Sequence, residues 1–252
     1  MDKFVADFIR NNIKLIDNCQ FEEFSREVDQ QRFTISQQSS IYQMLYKAGI
    51  DILPYVKRVP KYYMLNADIK NIVIPSNIEV IDQEAFAGSS LESVTISEGV
   101  KMIKDFAFND CKQLKSLVYP NSVKAYGEQQ GLFSLMEFNL PKTIIAKYPM
   151  LSDCENLKVV RFRGDKDNTD SLICGCGQLE SVEFLEGTTN AWKQWWRCGT
   201  GKMINIYLPH SCTYVDWSLT DKPQKYKFYV YKDSNADLYL KDYPDCKVEY
   251  RN

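Results

Sequence analysis

The sequence predicts an α/β repeat solenoid in which every coil contributes one short parallel strand, preceded by a small helical N-terminal region. Two observations support this fold class. A spaced apolar pattern recurs eight times from residue 69 onward, at intervals of 21 to 24 residues. The residues before it lack that pattern and instead carry apolar side chains at helical spacing.

The repeated unit is an apolar residue, two variable residues, an apolar residue, one variable residue and a third apolar residue. Its eight copies start at Ile69, Leu91, Leu114, Leu135, Leu157, Leu179, Met203 and Tyr226. An interval of about 22 residues is typical of leucine-rich repeats. One coil of that length cannot bury its apolar edge alone, so neighbouring coils have to stack. Strand geometry then predicts one buried row of Ile72, Val94, Leu117, Phe138, Val160, Val182, Ile206 and Tyr229.

A second apolar cluster follows the first strands and carries a resemblance to a known family. Its residues are Ile74-Pro75, Ile81, Ala85-Phe86, Ile103, Ala107-Phe108, Cys111 and Leu114. Over about three quarters of its length the sequence resembles the BspA-like (Treponema-type) leucine-rich repeat family. The resemblance implies a leucine-rich-repeat stack closed by a helix near residues 229–239, and a role in adhesion or interaction. Coils three to seven depart from the family because they lack the Ala-Phe pair.

Two regions are expected along the chain. Residues 1–67 form a helical N-terminal cap or a small helical domain, and residues 68–252 form the solenoid of about eight coils with its C-terminal cap. Apolar spacing predicts one helix before residue 17 and another around 21–28. A third helix is expected to have Ser39 as its N-cap and to end at Gly49, and Pro54 and Pro60 break helical continuation before the first coil.

Composition limits the classes of function. The chain has 31 Lys and Arg against 33 Asp and Glu, a balance that disfavours general binding of nucleic acid. No stretch approaches the roughly 18 apolar residues of a membrane span. The opening residues lack a targeting signal, no Asn-x-Ser/Thr glycosylation acceptor occurs, and the chain is long for a disulfide scaffold despite its 8 cysteines. These features together predict a cytoplasmic location.

A search for catalytic and cofactor patterns predicts no enzyme, no cofactor and no metal. His210 is the one imidazole in the chain, and a lone histidine beside a strand is usually structural. The segment from Gly199 to Lys202 lacks the spacing of a phosphate loop. Cysteines near the leading residues of successive coils predict a ladder of buried thiols, formed by Cys111, Cys154, Cys176 and Cys198. A metal site that includes Cys174, or a disulfide within the ladder, remains an alternative.

Two surfaces are candidates for binding a partner. The outward fifth position of each strand carries Val73, Thr95, Val118, Asn139, Arg161, Glu183, Tyr207 and Val230 in order. From the fourth coil onward this row becomes polar and aromatic, which predicts a concave site of Asn139, Arg161, Arg163, Glu183 and Tyr207, against the alternative of an ordinary solvated face. Trp192, Trp195 and Trp196 have the spacing of one helical face on the return arm of the sixth coil. They either fill the interior or leave one tryptophan exposed as an anchor.

The function predicted from these features is a non-enzymatic protein-binding module that uses a solenoid surface. An intracellular inhibitor or adaptor of a host protein, encoded by a microbe or a phage, would suit a small repeat protein of this kind. The alternative is a structural subunit of a virion or a cell-surface assembly. The oligomeric state is left open, and self-association of the isolated chain would distinguish the two functions.

Overall fold

The computed structural model describes residues 2–140, 150–164, 172–192, 196–197, 201–216 and 225–252, with the backbone alone at positions 192, 196, 197 and 216. Its architecture confirms the predicted α/β solenoid. All strand pairs between the described residues are parallel, and each coil adds a front strand followed by shorter strands on the return arm.

Four helices precede the first front strand. They are α1 (Lys3–Asn11), α2 (Ile13–Asp17), α3 (Phe21–Gln30) and α4 (Ile35–Lys47). The Thr34 hydroxyl accepts a hydrogen bond from the Gln37 N–H and the Gln37 side chain accepts one from the Thr34 N–H, so Thr34 is the N-cap of α4. The prediction of a Ser39 cap was therefore wrong. Ser39 lies inside α4 and donates to the Leu65 carbonyl, while Gly49, at φ +80°, follows the helix as predicted.

The front strands form two parallel sheets, one of three strands and one of six, in chain order. The first sheet contains β2 (Asn71–Ile74), β4 (Ser93–Ile96) and β6 (Ser116–Val118). The second contains β9 (Glu137–Leu140), β11 (Val159–Arg163), β13 (Ser181–Leu185), β16 (Ile204–Tyr207), β18 (Tyr226–Tyr231) and β19 (Lys247–Arg251). The repeat pattern did not predict β19.

The predicted buried row exists in two parts. Ile72, Val94 and Leu117 are aligned in the first sheet, and Phe138, Val160, Val182 and Ile206 in the second. At the junction of the sheets the hydroxyls of Tyr119 and Tyr126 are hydrogen-bonded in the interior. The Tyr119 ring meets Phe138 edge-on at 5.4 Å. A single continuous row was therefore a wrong prediction.

The last member of the row was also wrong. Ile206 pairs with Phe228, not with Tyr229, and both Phe228 and Val230 are fully buried. The outward residue of β18 is consequently Tyr229 instead of the predicted Val230. Aromatic or apolar residues occupy both faces of this strand, so alternation alone does not distinguish its inner face.

The return arms carry three further parallel sheets. The first contains β1 (Arg58–Val59), β3 (Val80–Ile81), β5 (Met102–Ile103) and β7 (Ala125–Tyr126). The second contains β8 (Gln129–Gln130), β10 (Leu151–Ser152), β12 (Ile173–Cys174) and β15 (Trp196–Arg197). The third pairs β14 (Asn190–Trp192) with β17 (Tyr214–Asp216). Strand β1 lies before residue 68, so the stack of return-arm strands extends into the region expected to be helical. The helix α5 (Asn235–Leu240) lies near the segment expected to close the solenoid.

One apolar core runs from the helices into the coils. Ring contacts connect Tyr42 of α4 to Tyr63 at 5.6 Å, Tyr63 to Phe86 at 6.0 Å, and Phe86 to Phe108 at 5.4 Å. The next coil places Gln129 in this interior row. Its side chain is fully buried and makes hydrogen bonds to the Phe108 N–H and to the carbonyls of residues 104 and 127.

A second row on the return arm alternates an Asn or Asp with a glycine. Its members, spaced 21 or 22 residues apart, are Asn66, Gly88, Asp110, Gly131, Asp153 and Gly175. All six have positive φ. The side chain of each Asn or Asp fills the space beside the glycine of the next coil, where a Cβ atom would otherwise lie. This Asx/Gly ladder sets the register of the turns on the return arm.

Candidate interaction surface

Parallel register places four predicted site residues side by side on the outer face of the six-stranded sheet. Asn139 is aligned with Arg161, Arg161 with Glu183, and Glu183 with Tyr207. The row continues through Tyr229 to Glu249. The predicted alignment therefore exists, and whether these residues bind a partner stays a prediction.

Arg161 is engaged by two carboxylates on neighbouring strands. Its Nη1 lies 2.6 Å from Glu137 Oε2, and its Nε lies 2.7 Å from Glu183 Oε2. The hydrogen bond to Glu137 contributes most to the raised pKa of Arg161. Burial is the second-largest effect and lowers the pKa, and the hydrogen bond to Glu183 raises it further. Arg161, with Glu137 and Glu183, thus links β9, β11 and β13 across the outer face.

Arg163 lies in the next outward row, aligned with Leu185. Together with Asn139 and Arg161 it borders a depression of about 370 Å³ at the junction of the two front sheets. Val118, which is 57% exposed, forms the opposite wall.

The tryptophan prediction is only partly covered by the described residues. Trp192 ends β14 and Trp196 begins β15, so these two residues lie in strands and the predicted helical face was wrong for them. Trp195 lies outside the described residues. The backbone of Trp196 is in register with Ile173, whose side chain is fully buried.

The far end of the same sheet carries an aromatic and cationic cluster, here named the tyrosine face. Its residues are Tyr207, Tyr229, Tyr231, His210 and Arg251. The rings of Tyr207 and Tyr229 stack with centroids 4.5 Å apart, and those of His210 and Tyr231 with centroids 3.4 Å apart. The Arg251 guanidinium lies over both pairs, at 5.7 Å from the Tyr207 ring and 4.9 Å from the Tyr231 ring.

Neighbouring charges hold the tyrosine face in place. Lys227 forms an ion pair with Glu249 and lies 5.2 Å from the Tyr229 ring. Glu186 accepts hydrogen bonds from the backbone N–H groups of His210 and Ser211, at 3.0 and 3.4 Å. The bond from His210 is the main reason why the pKa of Glu186 is below its ordinary value. Burial raises the pKa of Tyr207, which keeps its phenol protonated at neutral pH.

Of these five residues, only Tyr207 was predicted from the sequence as a site residue. Tyr229 had been assigned to the interior, and His210 had been considered only as a catalytic residue. Arg251 lies on β19, which has two apolar residues and lacks the repeat pattern. The sequence signal that could have indicated this cluster is the group of tyrosines at positions 226–231 and 250. One buried face does not need so many tyrosines, so some of them have to lie on the surface.

Cysteine chemistry was the other candidate. The side chains of Cys111, Cys154 and Cys176 are fully buried, in agreement with the predicted ladder, and Cys198 lies outside the described residues. Burial raises the pKa of the Cys111 thiol to about 11, so this thiol is protonated and unreactive. The seven described cysteines are free thiols, and the described residues bring together no set of three side chains suited to holding a metal ion.

Comparison with protein families matches six copies of the BspA type leucine rich repeat region to residues 57–171. Residues 57–171 are therefore similar to BspA-type leucine-rich repeats. The match begins one residue before β1, and it includes the first return-arm strands as well as the front strands. No curated protein matches the sequence.

Two solved structures are similar to the chain. The crystal structure of the pneumococcal vaccine antigen PcpA is 16% identical, with a TM-score of 0.50 over 78% of this chain and 44% of that chain. The chain thus spans less than half of PcpA, and the likeness concerns the fold alone. A leucine-rich repeat protein from Bacteroides ovatus is 15% identical, with a TM-score of 0.31 over 79% of this chain and 82% of that chain.

The match and the coil geometry agree with a repeat scaffold that binds proteins. Solenoids expose an extended surface of aligned side chains, and each coil contacts only its neighbours. Within the described ranges, none of the helices has the length and apolar character that crossing a bilayer requires.

Proposed function

We propose that the chain is a non-enzymatic protein-binding module that engages its partner through the tyrosine face. The observation that supports this most is the arrangement of stacked, half-exposed tyrosines under the Arg251 guanidinium. Tyrosine and arginine are the residue types most enriched among interface hot spots, where large side chains meet a partner with few internal rotations to lose.

The surrounding structure makes these side chains rigid before any partner binds. Tyr207 and Tyr229 lie on paired strands, the His210 backbone is fixed by Glu186, and the Arg251 guanidinium lies over two rings. Ordering flexible side chains is a main cost of association, so a preorganised cluster binds more tightly than the same residues on a loop. Arg161 is less suited to this role because both of its carboxylate partners belong to the solenoid itself.

The test is capture of partners from a lysate of the native host by the purified, tagged chain, followed by mass spectrometry and measurement of the affinity. A Tyr207→Ala and Arg251→Ala double variant removes the centre of the cluster. We expect at least about a tenfold loss of affinity, equivalent to about 1.4 kcal/mol, with an unchanged melting temperature.

Tyr46→Ala is the matched control. Tyr46 is 39% exposed and lies on α4, far along the chain from the tyrosine face. We expect this variant to bind as the wild type does. Undiminished binding by the double variant, or a loss caused by Tyr46→Ala, would contradict the proposal and move the site to the helices.

The finer role, an intracellular inhibitor or adaptor of a host protein, forms part of this proposal, and the identity and compartment of the captured partner test it.

A structural subunit would instead associate with itself. Strand β19 is the outer strand of the six-stranded sheet, but Lys247, Glu249 and Arg251 place charges along it, which discourages edge-to-edge pairing. We therefore expect a monomer by light scattering, and a defined oligomer would favour the structural alternative.

A further inference from the structure

Lysine and glutamate alternate along one row at the start of the front strands. In the first six coils, the row consists of the residue that follows the leading apolar residue: Lys70, Glu92, Lys115, Met136, Lys158 and Glu180. Backbone hydrogen bonds align these positions, from the Glu92 N–H to the Lys70 carbonyl at 2.7 Å and from the Lys158 N–H to the Met136 carbonyl at 2.8 Å.

Each glutamate of the row bridges two lysines, although the second partner of Glu180, Lys202, precedes the leading residue of its coil. Glu92 lies 3.6 Å from the Lys70 ammonium and 2.8 Å from that of Lys115. Glu180 lies 3.4 Å from the Lys158 ammonium and 3.5 Å from that of Lys202. One carboxylate therefore reaches two lysines that are two coils apart.

Met136 occupies the position where the alternation calls for a third glutamate. Its side chain is 50% exposed, and Lys115 and Lys158 lie on the adjacent coils. The neighbouring Glu137 does not substitute for the missing carboxylate, because it is turned to the Arg161 guanidinium at 2.6 Å. The row thus has three lysines and two glutamates, and two of these lysines, Lys115 and Lys158, flank an apolar side chain.

A further cation and an aromatic ring lie three residues before Lys115 and Met136, respectively, in the chain. The Lys112 ammonium lies 5.5 Å from the centre of the Phe133 ring, one coil apart, and Phe133 is half-buried. Lys112, Lys115, Phe133, Met136 and Lys158 are here named the lysine gap. It combines three ammonium groups with two apolar side chains on a rigid stack.

We infer that the lysine gap binds an acidic segment of a protein partner, with one carboxylate placed between Lys115 and Lys158 as Glu92 and Glu180 are placed in their coils. An apolar residue beside that carboxylate would cover Met136 and Phe133, which favours an acidic peptide over a fully polar anion. The inference rests on the proposed function only in taking the partner to be a protein. The lysine gap lies at the start of the six-stranded sheet, and the tyrosine face lies at its other end.

The probe is a fluorescein-labelled peptide in which glutamate alternates with leucine, compared with the same peptide carrying glutamine. Binding to the purified chain is measured by fluorescence anisotropy at an ionic strength of about 20 mM, where surface charges are weakly screened. We expect the glutamate peptide to bind at least about tenfold more tightly than the glutamine peptide, and to weaken as salt is added.

Met136→Glu supplies the missing carboxylate from the chain itself. We expect it to fold, because glutamate already occupies the equivalent positions 92 and 180, and to reduce affinity for the acidic peptide at least about tenfold. Met136→Gln is the matched control, because glutamine is similar in size to glutamate but carries no charge. This variant should lose much less affinity for the acidic peptide. Lys158→Gln is a second test variant, and we expect it too to bind the glutamate peptide more weakly than the wild type does.

Equal binding of the two peptides, undiminished binding by Met136→Glu, or equal losses in Met136→Glu and Met136→Gln would overturn the inference. Displacement of the peptide by a sulfated oligosaccharide that binds more tightly would also overturn the assignment to an acidic protein segment. Because the peptide assay needs no native partner, the two proposals fail separately. A chain that captures a partner but ignores the peptide refutes the lysine gap alone, and a chain that binds the peptide but captures no partner refutes the tyrosine face alone.

Discussion

Arg161 and Tyr207 lie in one cross-strand row two strands apart, but their neighbours give them different roles. Arg161 is satisfied within the solenoid by Glu137 and Glu183, so an incoming group would have to compete with two short ion pairs. Tyr207 stacks on Tyr229 and keeps part of its ring exposed. Two side chains that the sequence predicts equally as site residues therefore differ in how available they are to a partner.

At the residue scale, the Asx/Gly ladder predicts which glycines are required. Gly131 has φ +68°, and a Cβ atom there would lie 2.5 Å from Asp110 Oδ1. Gly131→Ala should lower the free energy of unfolding by about 2 kcal/mol or more, because alanine is strained in the left-handed region and Asp110 has to move. Urea unfolding measures this change.

Gly177→Ala is the control for that substitution. Gly177 lies outside the left-handed region and has no atom within 4 Å of the added methyl group. The free energy of unfolding should change by less than about 0.5 kcal/mol. If the two substitutions lowered the free energy of unfolding equally, the Asx/Gly ladder would not make Gly131 more sensitive to a side chain than Gly177.

At the scale of the element, the front strands predict opposite effects for valines on their two faces. Val160 of β11 is fully buried, and Val160→Asp places an unpaired carboxylate among apolar side chains. We expect a loss of more than about 4 kcal/mol, or failure to fold. The measurement is the change in melting temperature and in the urea midpoint.

Val73→Asp is the matched change on an outward position. Val73 of β2 is 62% exposed, so its carboxylate stays hydrated, and a loss below about 1 kcal/mol is expected. If Val160→Asp were tolerated as well as Val73→Asp, the assignment of the inner face would be wrong.

The elements also show which parts of the fold the sequence could predict. The front strands from β2 to β16 follow from the period, and their inward residues from Ile72 to Ile206 are aligned as predicted within each sheet. Strand β18 was predicted as well, but its inner face was not, since Phe228 and Tyr229 are both aromatic and their pairing with Ile206 and Tyr207 distinguishes them. The two-residue strands of the return arms are too short to form a pattern.

The candidate surface was predictable to a smaller extent for a related reason. A sequence lists the outward residues of each strand but does not state which of them bond to one another across strands. Arg161 was predicted as a site residue, but Glu137 and Glu183 lie beside it, and Arg251 lies outside the repeat pattern. Interaction sites depend on register between coils, and register at the last strands required the structure.

For the whole molecule, the carboxylates that join coils predict sensitivity to acid. The pKa values of Glu79, Glu92, Glu98 and Glu186 lie below the ordinary value of 4.5. Hydrogen bonds from Lys101 and Lys115 are the main cause for the first two, and backbone N–H groups of the next coil for the others. Asp29 contributes in the opposite direction, because burial raises its pKa.

The unfolded chain therefore binds more protons than the folded chain in this range of pH. The stabilisation is present above about pH 4.5 and is lost as the pH falls through the lower folded-state pKa values. Urea unfolding at about pH 7, 5 and 3.5 should show a steady free energy of unfolding down to pH 5 and a decline below it. Glu98→Gln should make that decline shallower, and an unaltered slope would argue against the contribution of this carboxylate.

The Asx/Gly ladder implies that the smallest unit able to be copied is a pair of coils, about 44 residues, and not a single coil. Deleting one coil from the ladder would set two left-handed Asx residues against each other, or leave two glycines with an empty space between them. Deleting two adjacent coils would restore an Asx beside a glycine. Shortening or lengthening of this solenoid should thus be tolerated in even steps, and the alternating lysines and glutamates of the front strands follow the same parity.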